Sequence, residues 1–94
     1  MSAPLPELIL YTRAGCHLCD ESLAFVQGLL EERAARSQPI AALAERDIAA
    51  NQDWERQFFD SIPVLELRGR RLPLAVSPAR IRGFLAEVLD WSLV

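Results

Sequence analysis

Apolar and polar residues follow one another along this chain in runs of different period, and the order of those runs predicts its elements. Residues 8–11, Leu-Ile-Leu-Tyr, are apolar without a break, and Thr-Arg-Ala-Gly ends the run. A short apolar run with a helical pattern behind it predicts a buried central strand. From Leu18 onward apolar residues return at Leu23, Val26 and Leu30, flanked by Phe25 and Leu29, which is the spacing of one helix face. Asp20 and Glu21 fall in its first turn, where the helix dipole favours them. Ser37-Gln38-Pro39 predicts the end of this helix, because residues before proline avoid the α region.

Residues 40–48, Ile-Ala-Ala-Leu-Ala-Glu-Arg-Asp-Ile, favour helix on propensity alone. A strand is nevertheless expected, since Pro39 starts it and a strand–helix–strand unit needs a parallel partner beside residues 8–11. Asn51 is a candidate N-cap for a short helix over 52–59, with Trp54 and Phe58 one turn apart. Residues 62–67 read as a strand and 68–71 as a hairpin turn in which Gly69 can take a positive φ. Residues 71–76 read as the returning strand, placed at a sheet edge by Pro73. Ser77 as N-cap and Pro78 at the first helical position open a last helix, where Ile81, Phe84, Leu85, Val88 and Leu89 form one stripe. The predicted order is β-α-β-α-β-β-α. It implies an α/β fold with a four-stranded mixed sheet of order 2-1-3-4 and helices on both faces.

Composition narrows the function classes. Ninety-four residues, 51% apolar and 24% charged, suit one domain over 1–94 with a ragged lead-in over 1–7. A net charge of −3 argues against nucleic-acid partners, which are held by basic residues neutralising phosphates. All ten basic residues are arginine. No apolar run approaches the roughly 20 residues of a membrane span. The first residues lack the basic start of a secretion signal. A cytoplasmic monomer with no membrane partner is therefore expected. In a reducing compartment two closely spaced cysteines are reactive or metal-binding more often than structural.

Those cysteines are Cys16 and Cys19, separated by His17 and Leu18. Cys16 falls at the predicted start of the first helix, where unpaired N–H groups favour an anion. A thiolate is the nucleophile of disulfide exchange, and helix N-termini lower thiol pKa values. Arg13 adds positive charge three residues earlier, and His17 does so when protonated; Asp20 and Glu21 oppose them. Cys19 lies one turn on, on the same side and better shielded. Cys16 is thus the candidate nucleophile and Cys19 the resolving thiol, acting on protein or low-molecular-weight disulfides, with a separate reductant required. Other readings stay open: buried thiols that only fill space; a binding module or metal or iron–sulfur carrier without redox turnover, for which the chain supplies two cysteines and His17 against the usual four ligands; and a plain protein-interaction adaptor.

The stretch Leu-Ile-Leu-Tyr-Thr-Arg-Ala-Gly-Cys-His-Leu-Cys followed by Ile-Pro-Val-Leu-Glu-Leu resembles the glutaredoxin-like branch of the thioredoxin-fold oxidoreductases, over nearly the whole chain. The resemblance implies a cis Pro63 beside the cysteine pair. It implies that the backbone of Ile62 is free to pair with a bound peptide or glutathione as an added strand. It also puts Arg13 where these proteins carry a lysine that meets the glutathione carboxylate. No tightly bound cofactor is implied, and glutathione is a candidate co-substrate. Two departures stand out. His-Leu replaces the usual Pro-Tyr between the cysteines, and Ala-Val-Ser-Pro-Ala-Arg, residues 75–80, replaces the Gly-Gly turn and Asp that bind the glutathione amine. Ser77 is then expected to be a cap only. The pattern is closer to small bacterial glutaredoxin-like proteins than to glutathione-dependent glutaredoxins. Asp47 is expected to be a turn or cap residue, and Trp54, Phe58, Phe59 and Trp91 to lie in the core or at its rim.

Overall fold

Both faces of the first strand are covered, and that burial organises the chain. The computed structural model describes residues 4–90. In β1 (Glu7–Thr12) every residue from Leu8 onward is buried. Its side chains alternate between faces, as strand geometry requires. Leu8 and Leu10 enter one apolar cluster; Ile9 and Tyr11 enter another. β1 pairs in parallel with β2 (Ala42–Asp47), from Glu7 beside Ala42 to Thr12 beside Asp47. It pairs antiparallel with β3 (Val64–Leu67), Leu8 opposite Leu67 and Leu10 opposite Leu65. β4 (Arg70–Leu72) completes a sheet of order β2-β1-β3-β4, as predicted.

Helices cover both faces. On the side of Leu8 and Leu10, α1 (His17–Ala35) supplies Val26 and Leu29, and α3 (Pro78–Asp90) supplies Ile81, Phe84, Leu85, Val88 and Leu89. On the other side lie Ile48, from a 3₁₀ turn (Ile48–Ala50), and Phe58 of α2 (Gln52–Phe58), with Trp54 and Ile62 packed against them. Phe58 stacks on Tyr11 at 4.4 Å between ring centroids, and Trp54 meets the same ring edge-on. Burial, then the neighbouring Glu66 carboxylate, raises the Tyr11 phenol above its ordinary pKa. Asn51 caps α2, accepting the N–H of Asp53 at 2.8 Å, and Asp47 caps the 3₁₀ turn through the Ala49 N–H.

Residues 42–47 form a strand although their alanines favour helix. The ladder to β1, extended by the Ala42 N–H donated to Pro6 O at 2.9 Å, outweighs a weak local preference. The β3–β4 turn carries positive φ at both Arg68 and Gly69, the requirement of a two-residue hairpin whose twist matches its strands.

Three expectations need correction. Leu18 opens the apolar spacing of the first helix in sequence but is 52% exposed in α1. The buried stripe runs through Cys19, Ser22, Val26, Leu29 and Arg33, so three of its five positions are not ordinary core residues. Arg33 is tolerated because it is paired with Asp90 of α3 and donates from Nε to Pro39 O at 2.7 Å. Second, the returning strand ends at Leu72, so Pro73 lies beyond it. Pro73 has no N–H to give, and Leu74 adopts a φ of +49° that breaks the extended course. Third, Phe59 is 62% exposed, whereas Phe58 is buried. Trp91 lies outside the described residues.

Leu85 is fully buried between α3 and the sheet. Leu85→Ala should lower the unfolding free energy by about 2–5 kcal/mol in urea titrations, the range for emptying a packed leucine site. Phe59→Ala should change it by less than about 0.5 kcal/mol.

Candidate active site

The end of β1 delivers the chain to a tight turn. The Cys16 N–H donates to Arg13 O at 3.1 Å, closing a turn in which Gly15 takes a φ of +81°. A residue with a side chain is strained at that φ, so glycine sets where α1 begins. Cys16 is the N-cap, with extended backbone angles, and its Sγ accepts the Cys19 N–H at 3.1 Å. The two sulfurs form a disulfide across one helical turn, with the Cα atoms 5.2 Å apart. Their surroundings differ: Cys19 is completely buried, while Cys16 is partly exposed. A partner in solution can therefore reach the pair only through Cys16.

The other residues singled out from sequence are distributed around this pair. The Ile62–Pro63 peptide is cis. Tyr11 pairs with Val64, so continuing the register puts Pro63 across from Thr12 and Ile62 across from Arg13, at the strand end from which the dithiol turn departs. Among the described residues, the Ile62 backbone makes no backbone hydrogen bond, whereas its neighbours do. The Arg13 side chain is drawn to Glu55 of α2, and both are about two-fifths exposed. His17 projects into solvent, 87% exposed, with Nε2 3.4 Å from a Glu21 carboxylate oxygen. Ser77 caps α3 through a 3.3 Å bond from the Arg80 N–H. Among the described residues, no three His, Cys, Asp or Glu side chains gather as a metal site.

Sequence reasoning missed the residue that ties these parts together. Ser22, buried one turn beyond Cys19, donates its hydroxyl to Ala75 O at 2.6 Å. Ala75 in turn donates its N–H to Pro63 O at 2.7 Å, and Leu74 donates to Ser61 O at 2.9 Å. The segment after β4 thus pairs with the Ser61–Pro63 loop and is held to the dithiol helix by one serine. A small polar residue on the stripe of Cys19 and Val26 was the available signal. Glu55 as the partner of Arg13 carried none, because the pairing depends on how α2 docks.

A family model described as "Glutaredoxin-like domain (DUF836)" matches residues 7–92. The chain belongs to this glutaredoxin-like family. Its thioredoxin-like fold is shared with solved structures. The crystal structure of target protein XcR50 from X. campestris is 27% identical, with 85% of this chain and 96% of that one covered, at a TM-score of 0.63. The solution structure of XcR50 is 28% identical, covering 85% and 92%, at a TM-score of 0.60. Protein Ne2328 from Nitrosomonas europaea, 24% identical over 89% of this chain and 94% of that one, matches in fold at a TM-score of 0.67. No curated protein matched. Membership of the glutaredoxin-like family and a Cys16–Cys19 pair at disulfide distance are consistent with a redox-type thioredoxin fold. Among the described residues, no helix is long and apolar enough to cross a membrane.

Ser22→Ala leaves the buried Ala75 carbonyl without its side-chain donor. It should cost about 1–3 kcal/mol of stability, measured by urea unfolding, as expected for a buried acceptor that loses its partner.

Proposed function

We propose that this glutaredoxin-like protein is a thiol–disulfide oxidoreductase in which Cys16 is the nucleophile and Cys19 the resolving thiol. One observation carries the reading. The sulfur of the partly exposed Cys16 sits at the N-cap of α1 and accepts a backbone N–H, while its partner is buried one turn away. In the reduced protein that N–H and the helix dipole favour the Cys16 thiolate. The thiolate attacks a disulfide sulfur of the substrate, forming a mixed disulfide and expelling the other half as a thiolate. The Cys19 thiolate, its proton lost to solvent, then displaces the substrate from Cys16. Two electrons have moved from the dithiol to the substrate, and the Cys16–Cys19 disulfide remains. A dithiol reductant returns the pair to its starting state by the reverse exchange. No resident cofactor enters this balance.

Arg13, His17, Ile62 and Pro63 are proposed to hold the substrate. Ile62 offers backbone groups at the sheet end to an extended polypeptide or to glutathione. Arg13 can meet a carboxylate only by leaving Glu55, and an exposed pair of this kind is worth no more than about 1 kcal/mol. His17, when protonated, adds positive charge next to Cys16.

Cys16→Ser should abolish reduction of a model disulfide at an unchanged melting temperature. Cys19→Ser should instead accumulate a mixed disulfide detectable by intact mass. Wild-type activity surviving in Cys16→Ser would remove the proposed mechanism. In the reduced protein, iodoacetamide alkylation of Cys16 followed against pH should report a thiol pKa below the ordinary value of about 8.5. A value at or above it would show that the helix terminus does not activate this sulfur.

A further inference from the structure

Resting on the oxidoreductase reading above, the remaining question is what carries the disulfide. Leu18 stands between the two cysteines in sequence and is 52% exposed; Val76, beyond the Ala75 bridge, is 43% exposed. With Phe25, Pro78 and Ile81 they line a groove of about 430 Å³ between α1 and the start of α3. The groove therefore begins beside the reactive pair. Its polar lining is Glu21 and Ser22. The Ser22 hydroxyl is committed to Ala75 O, so it has no proton left for a ligand. Pro78 removes one N–H from the first turn of α3, and Ser77 takes the N–H of Arg80. Arg82 lies over the Phe25 ring but is bound to Glu32 at 3.0 Å, which lowers the Glu32 carboxyl pKa.

The side chains lining the groove thus offer apolar surface and a carboxylate, with no side-chain donor left for an anion. Each half of oxidised glutathione brings two carboxylates against one ammonium, a poor match to this lining. An apolar side chain beside a basic one matches it: the first buries against Leu18, Phe25, Val76 and Ile81, and the second meets Glu21, whose side chain is 63% exposed. We infer that the groove between α1 and α3 binds the polypeptide flanking a substrate disulfide, selecting an apolar residue next to a basic one in preference to glutathione.

The test uses the full chain with dithiothreitol as reductant, its uncatalysed rate subtracted, and four disulfides. These are the homodisulfides of acetyl-Leu-Cys-Arg-amide, acetyl-Leu-Cys-Glu-amide and acetyl-Gly-Cys-Gly-amide, and oxidised glutathione. Wild type should reduce the Leu/Arg peptide with a kcat/KM about tenfold above that for the glycine peptide, the scale of one apolar side chain in a pocket, and above that for oxidised glutathione. Val76→Asp should bring the Leu-to-Gly ratio toward one, and Glu21→Arg should turn the preference from the Leu/Arg to the Leu/Glu peptide. Ratios taken within one protein sample are insensitive to the fraction folded. Equal rates for the leucine and glycine peptides, or faster reduction of oxidised glutathione, would overturn the assignment of the groove while leaving the dithiol chemistry intact. Failure of wild type to reduce any of the four would overturn the oxidoreductase reading and this inference with it.

Discussion

A sulfur atom caps the first helix of this protein, and the site is built on that contact. Helix N-caps are normally oxygen-bearing side chains that accept a free backbone N–H. Here the acceptor is Cys16 Sγ, 3.1 Å from the Cys19 nitrogen. A neutral thiol is a weak acceptor and a thiolate a far better one. The helix start is therefore satisfied best when Cys16 is anionic, so the requirement for a cap and that of the proposed nucleophile are met by the same charge state. What holds the sulfur there is the fold upstream. β1 is fixed by burial on both faces, and a three-residue turn through Gly15 leaves no freedom over where α1 begins.

The second constraint links this helix to the far side of the site. Ala75 accepts from Ser22 and donates to Pro63, so the segment after β4 bridges the dithiol helix and the Ile62–Pro63 loop. Without such a bridge the two halves would be related only through β1 and β3. The bridge also explains the short β4. Once Pro73 and the positive φ of Leu74 end the ladder, the following N–H groups are turned toward Ser61 and Pro63. The irregular chain between β4 and α3 is therefore the tie that sets the distance between the dithiol and the backbone proposed to receive a substrate.

The fold was legible where the chain repeats a period. The stripe of α3 was read residue for residue, and the unbroken apolar run over 8–11 marked a strand buried on both faces. The edge strand over 42–47 was legible only from topology, since its alanines have no side-chain preference strong enough to declare it. Reading α1 failed at Leu18 because apolar spacing marks a core only when polar residues stay outside. In α1 the buried positions include Ser22 and Arg33, each satisfied by a partner more than five residues away in sequence. The cysteine pair and the cis Pro63 were visible in advance, the second only through family resemblance. The hydrogen-bond bridge and the groove were not, because both arise from how the segment after β4 lies against α1.

Charge at the mouth of the site sets the proposed nucleophile against the proposed recognition groove. Asp20 and Glu21 sit in the first two turns of α1, where they interact well with the helix dipole and steady the helix. The same carboxylates repel a thiolate at Cys16 and raise the energy of the form proposed to react. A site selected for thiol acidity alone would carry neutral or basic residues there. An acid beyond the proposed nucleophile, at the edge of an apolar groove, fits the role proposed for Glu21 in meeting a basic residue of the substrate. The N–H cap offsets part of the repulsion at short range, because a hydrogen bond at 3.1 Å acts on the sulfur directly while the exposed carboxylates are screened by water. In the proposed mechanism the backbone thus supports the thiolate, and the side chains around it are left to choose the partner.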